Sequence, residues 1–183
     1  MGITAGKIRI IGGNWRSRLI SFPDRDDLRP TANRIRETLF NWLGQDLTGL
    51  NCLDLFAGSG VLGFEAASRG AQSVVMVEND SVALRFLQEN KEKLQATQIS
   101  ILKSDALRFI QTDTRKFHVI FLDPPYRLNL LPTLLKQIRL LLEVNGRVYI
   151  ESSDHWIPEH PWTVVRNGKA GEVYYQLLEN INE

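Results

Sequence analysis

The tetrapeptide Asp123-Pro124-Pro125-Tyr126 closes an apolar run, FHVIFL, at residues 117–122. Asp123 and the carbonyl of Pro124 are both acceptors, and proline fixes the backbone between them. Such a pair suits the exocyclic amine of a nucleobase, a poor nucleophile because its nitrogen lone pair is delocalised into the ring. If each acceptor takes one N–H, the lone pair is aimed at an incoming electrophile. Tyr126 adds an aromatic face on which a base can stack, worth about 1–3 kcal/mol. A rigid exit turn is the plain alternative for the same four residues.

A second constellation lies upstream. In DLFAGSGVLGFEAA, residues 54–67, Gly58, Gly60 and Gly63 form G-x-G-x-x-G, and Glu78 follows Gly58 by twenty residues. A carboxylate at that distance can accept from both ribose hydroxyls, so NAD and S-adenosylmethionine both remain open, each carrying an adenosine. Asp54 separates them. It lies four residues before the first glycine, where its charge repels a pyrophosphate and attracts a sulfonium and an ammonium. Asp105, in KSDALRF, can accept from an adenine amine, cap the following helix, or do both. These acids favour S-adenosylmethionine, whose sulfonium leaves without help from a metal or a covalent intermediate. His118, His155 and His160 share no ligand spacing with a cysteine or acid cluster, so no metal is expected.

These residues need a frame that brings them to one edge. Apolar runs at 51–56, 73–77, 98–102, 117–122 and 146–150 alternate with helix-length segments at 61–69, 80–95 and 129–142. The alternation predicts an α/β fold, a mostly parallel sheet with helices on both faces. Two β-rich runs around Asn167-Gly168 and Gly171 predict a terminal hairpin that adds one antiparallel strand. Near the start, KIRIIGGNWRSRLISF predicts a hairpin around Gly12-Gly13-Asn14. RPTANRIRETLFNWLG then predicts an amphipathic helix of about twelve residues, with Thr31 as N-cap and Gly44 as stop. Residues 1–45 read as a small extension, and 46–183 as the main Rossmann-like domain.

The chain has 183 residues, 43% of them apolar, and a net charge of +1. The length suits a self-sufficient core, and no run approaches the ~18 apolar residues of a membrane span, so a cytoplasmic protein is expected. Cys52, the only cysteine, reads as a reduced core thiol. The charge is unevenly placed: residues 1–40 carry eight basic and four acidic side chains, a local +4, while the remainder is −3. A basic arm on a mildly acidic body points to a polyanion, with Arg9, Trp15, Arg16, Arg18, Arg34 and Arg36 as its candidate contacts. Core packing competes for Trp15, and Arg34 and Arg36 could face the cofactor instead.

LDPPY together with DLFAGSG resembles the amino-methyltransferase signature of class I S-adenosylmethionine-dependent methyltransferases. RIIGGNWRSRLISFP, LRPTANRIRETLFNWL and CLDLFAGSGVLGFEAASRGA are similar, more narrowly, to bacterial methyltransferases of the RsmD type, which modify the 2-amino group of one guanine in small-subunit ribosomal RNA. The resemblance implies a Rossmann-like methyltransferase with an RNA-contacting N-terminal extension, acting on RNA within an assembled or partly assembled subunit; a monomer is expected. Carried over by position, it implies a catalytic turn at Asp123, Pro124, Pro125 and Tyr126. The implied cofactor set is Thr31, Asp54, Phe56, Ala57, Gly58, Ser59, Gly60, Glu78, Asn79, Asp105 and Ala106. Rival readings are a DNA amino-methyltransferase, a nucleotide-binding Rossmann protein using NAD, and a non-catalytic ribosome-assembly factor.

Overall fold

Runs of aliphatic and β-branched residues form the strands, and their alternation supplies two cores at once. Along β3 (Asn51–Asp54), β4 (Ser73–Glu78) and β6 (Phe117–Leu122), Cys52, Val74, Met76, Val119 and Phe121 join one buried cluster. Leu53, Val75, Val77, Ile120 and Leu122, the intervening residues, join the other. Side chains alternate between the faces of a strand, so a sheet covered on both sides needs apolar residues at nearly every position. The computed structural model describes residues 4–181.

With β5 (Ile99–Lys103), β7 (Leu142–Ser152), β8 (Trp162–Ala170) and β9 (Val173–Asn180), these strands make a seven-stranded sheet in the order β5-β4-β3-β6-β7-β9-β8. β3 to β7 are parallel neighbours, and β9 alone runs against the others. The helices α2 (Val61–Ser68), α3 (Ser81–Leu94), α4 (Ala106–Thr112) and α5 (Leu131–Ile138) connect the parallel strands. β3 leads outward through β4 to β5, and β6 restarts on the other side of β3. The strand order therefore reverses between β3 and β6, and the crevice over their carboxyl ends is where such sheets bind ligands.

The N-terminal segment adds α1 (Asn33–Leu43) and a separate ribbon of β1 (Ala5–Arg9) and β2 (Leu19–Pro23). Ile10, Ile20, Ile35, Leu39 and Phe40 share one core cluster with Cys52, Phe121 and Tyr149, so residues 1–45 have no separate core of their own. Cys52 is fully buried, and burial pushes its thiol up to about 12. No helix among the described residues is long and apolar enough to cross a membrane.

Several local expectations are corrected. Thr31 does not cap α1: the cap position is Ala32, without a side-chain hydrogen bond, because the Thr31 hydroxyl donates to the buried Glu151 at 2.9 Å. The ribbon does not turn tightly at Gly12-Gly13-Asn14, since its ladder stops at the Arg9–Leu19 pair. The N–H groups of Ile11 and Gly12 go to Glu65 instead, and that of Trp15 to the Ser68 hydroxyl. The terminal hairpin turns at Gly171, φ +60°, and Asn167-Gly168 lies inside β8, which absorbs an irregularity between Val164 and Arg166. The segment read as one helix over 129–142 ends α5 at Ile138 and continues as a short 3-10 turn.

Candidate active site

The turn after β3 is built by backbone bonds from two neighbouring strands. The Leu55 N–H donates to the Phe121 carbonyl and the Ala57 N–H to that of Val77, at 3.2 and 3.0 Å. Gly58 and Gly60 take left-handed conformations, φ +50° and +78°, which glycine adopts without strain. Their surroundings differ. A Cβ on Gly60 would strike Leu87 of α3 at 2.4 Å, and one on Gly63 would press on Met76 at 3.0 Å, whereas Gly58 has nothing nearer than 3.9 Å. Gly60 and Gly63 thus allow α2 to pack closely on the sheet and α3, and Gly58 is the open position of the three.

Glu78 ends β4 and holds this turn. It accepts from the Gly58 N–H at 2.8 Å through Oε2, and from the Asn79 and Asp80 N–H groups at 2.9 and 2.8 Å through Oε1. Ala57 and Ser59 are buried, and the Ser59 hydroxyl accepts from Val61 N–H, as a turn hydroxyl does. Phe56 is half-buried against the core, and Asn79 is exposed beside Glu78. Farther along the edge, Asp105 caps α4 by accepting from the Arg108 N–H at 3.0 Å. It is exposed, with Ala106 buried behind it, so its carboxylate keeps acceptor capacity toward solvent.

Strand register sets the acids side by side. Asp54 pairs with Phe121, and Phe121 with Tyr149, so these three lie in one row on one face. Leu122 pairs with Ile150, which sets Asp123 and Glu151 beside each other one step on, pointing to that same face. Asp54 is buried and accepts from the Gly63 N–H in α2 at 3.0 Å. Burial, with smaller contributions from Glu78 and Glu151, outweighs that bond and pushes the Asp54 carboxyl up to about 7. Burial also raises Asp123 well above the ordinary carboxylate range, and the charges of Glu151 and Asp54 add to the effect.

Glu151 is buried at the end of β7. Its Oε1 accepts from the Thr31 and Tyr149 hydroxyls, each at 2.9 Å, and the Tyr126 hydroxyl bonds the same carboxylate. Thr31 therefore does reach the site edge, through Glu151. Tyr126 is 42% exposed on the 3-10 turn that follows Pro125. A cleft beside it is lined by Pro124, Pro125, Tyr126, Glu151 and Trp156. Trp156 is half-buried and packs on the core while it borders this cleft; Trp162 is buried and donates to the Leu135 carbonyl. Glu151 and Trp156 sit in no local pattern that marks them, the only available signal being that β7 ends beside β6.

The basic arm divides. Arg9, Arg16, Arg18 and Arg34 are exposed. Arg36 is not, and its assignment to RNA is corrected. Its guanidinium is fully buried, pairs with Glu65 at 3.0 Å, and donates to the carbonyls of Arg9 and Thr31. Burial lowers its pKa, and the Glu65 charge opposes that shift. Trp15 is half-buried against the core. Among the described residues no group of three or more His, Cys, Asp or Glu could hold a metal ion, and His118 accepts from the Asn51 N–H through Nδ1.

A family model described as conserved hypothetical protein 95 matches residues 8–179. The chain is 40% identical to ribosomal RNA small subunit methyltransferase D of Escherichia coli strain K12 over 184 aligned residues, covering 96% of this chain and 91% of that protein. The solved structure of yhhF from Escherichia coli overlays with a TM-score of 0.86 at 36% identity, covering 97% of this chain and all of that one. A more distant structure, SMU.776 complexed with SAH, overlays at 0.73 with 13% identity, covering 97% of this chain and 56% of that one. At that identity the likeness shows the fold alone.

Proposed function

The chain belongs to the family described as conserved hypothetical protein 95, and from that membership we propose that it moves a methyl group from S-adenosylmethionine to the 2-amino group of a guanine in small-subunit ribosomal RNA. The observation that carries this reading is the register across β3, β6 and β7. It sets the Asp123-Pro124-Pro125-Tyr126 turn directly beside Asp54 and the glycine turn. Asp123 and the Pro124 carbonyl take the two N–H bonds of the amine, while Tyr126 stacks on the base. The nitrogen lone pair displaces the thioether in line: the N–CH3 bond forms as the S–CH3 bond breaks, and S-adenosylhomocysteine leaves neutral. The surplus amine proton passes to Asp123, whose raised proton affinity suits it to the task. On the cofactor side, Glu78, already holding the glycine turn through three N–H groups, has about one lone-pair site left for a ribose hydroxyl, and Asp105 faces the adenine end. The acids at the sulfur end oppose a pyrophosphate and favour a cationic donor.

The test uses small subunits from cells lacking the protein, incubated with it and S-adenosylmethionine and mapped by mass spectrometry. One new methyl group on a guanine 2-amino position is expected; no transfer, or transfer to adenine or cytosine, overturns the reading.

Asp54 gives donor binding a pH signature. Its carboxyl titrates near 7 in the ligand-free protein, and a sulfonium beside it pulls that value down. Bound and free states then differ in protons held, so affinity is expected to rise with pH up to about 7 and level off above it. Asp54→Asn should flatten the profile and weaken the donor by roughly tenfold, about one charge-assisted hydrogen bond. Calorimetric titrations at several pH values check this; a wild-type profile already flat between about pH 5.5 and 8 contradicts it.

The exposed arginines of residues 1–45 supply phosphate contacts that the net-negative remainder cannot. Replacing Arg16 and Arg18 together with alanine should lower subunit affinity and reduce the slope of log affinity against log salt by up to about 1.4–1.8, if each contacts one phosphate. Donor affinity stays unchanged. Superimposable salt curves for variant and wild type would mean these side chains do not touch RNA.

A further inference from the structure

We propose that Glu151 is the residue that reads guanine, by accepting the N1–H of the base while Asp123 and Pro124 hold its 2-amino group. The inference rests on the guanine reading above and deepens it. An Asp-Pro-Pro-Tyr turn by itself takes any exocyclic amine, so it leaves the choice of base to something else. The ring atoms that flank the amine tell the bases apart. In guanine they are N3, a bare acceptor, and N1, which carries a hydrogen. In adenine and cytosine the ring nitrogen next to the amine is a bare acceptor.

What lies beside Asp123 is therefore decisive, and in this chain it is a second carboxylate. The Leu122–Ile150 pairing puts Glu151 next to Asp123 on the adjacent strand, pointing to the same face, and Glu151 lines, with Pro124 that follows Asp123, the cleft in which a base would lie. Two adjacent acceptors match two adjacent donors of guanine, and set acceptor against acceptor with adenine or cytosine. The other contacts of Glu151 fit this role. Thr31 and Tyr149 both donate to Oε1, fixing the carboxylate in place, and Tyr126 bonds the same group from the rim. A carboxylate offers about four lone-pair sites, so three hydroxyls leave one for a further donor. A buried like-charged neighbour raises the proton affinity of Asp123 at a cost to the empty site, and a donor-rich base edge relieves it.

The experiment compares two substrates on one protein. Small subunits are reconstituted with RNA carrying either guanine or 2-aminopurine at the modified position. 2-Aminopurine keeps the 2-amino group but has an unprotonated N1. Single-turnover transfer from radiolabelled S-adenosylmethionine is measured for wild type, Glu151→Gln and Tyr149→Phe. Wild type is expected to prefer guanine by about 10²-fold, because the analogue leaves a buried acceptor facing another. In Glu151→Gln the side-chain amide can turn its N–H to the bare N1, so the preference should shrink to about tenfold or less. Tyr149→Phe, which loosens the carboxylate without replacing it, should slow both substrates and keep the preference. Donor binding by calorimetry checks that each variant is folded. A preference that is the same in Glu151→Gln as in wild type overturns the proposal. Failure of wild type to methylate the guanine-bearing subunit overturns the underlying reading, and the proposal with it.

Discussion

Asp123→Ala is expected to lower single-turnover methyl transfer by about 10²–10⁴-fold while S-adenosylmethionine still binds. The reason is geometric. An amine conjugated with its ring presents no lone pair to the methyl group unless its hydrogens are drawn into a fixed arrangement, and in the proposed reading Asp123 supplies one of the two acceptors that do so. It is also the nearest base with raised proton affinity, so its removal strands the surplus proton. Asp123→Asn, which keeps an acceptor oxygen but not the charge, should fall between wild type and alanine. Quenched-flow transfer measured alongside calorimetric donor binding separates the two roles. A near-normal rate for Asp123→Ala would remove this residue from the chemistry altogether.

Glu65→Ala should produce the largest loss of stability. Glu65 is fully buried in α2 and accepts from five donors: the Ile11 and Gly12 N–H groups, Arg36, and two nitrogens of Arg69. Removing it leaves two buried guanidinium groups without a counter-charge. Breaking one partner out of a buried pair costs about 3–5 kcal/mol. At 2–4 °C per kcal/mol for a chain of this size, the melting temperature should drop by roughly 6–20 °C. The 10–18 loop should also become more sensitive to protease, since two of its docking bonds end on this carboxylate. Glu65→Gln, which can still accept the backbone N–H groups, should lose less. Melting curves of Glu65→Ala and wild type that coincide within a degree or two would show that the pair is stabilised elsewhere.

These two residues also mark where sequence is legible and where it is not. The strands of the parallel sheet follow from the apolar runs, because a strand covered on both faces cannot spare a polar position. The glycine turn and the Asp123 turn are equally plain, since both are short contiguous segments whose backbone geometry limits the residues allowed. Glu65 offers no such signal. It stands in GFEAA like any solvated helix acid, yet all eight residues of α2 are buried, so that helix has no polar face to betray its setting. Arg36 in the basic arm, and Thr31 before α1, were assigned from their local surroundings. Their partners lie 29 and 120 residues away, and pairings at that range depend on how the elements dock.

Glu78 has a bearing on how such a protein handles its spent reagent. With no ligand present, its carboxylate already accepts three backbone N–H groups and fixes the glycine turn. Little ordering remains to be done when a nucleoside arrives. Any grip this turn has on adenosine is the same before and after the methyl group has gone, so this half of the site cannot distinguish fresh donor from exhausted product. On the proposed reading the distinction falls to the acids at the sulfur end, which would hold a cation more firmly than a neutral thioether. Throughput would then follow the ratio of S-adenosylmethionine to S-adenosylhomocysteine more closely than the concentration of either.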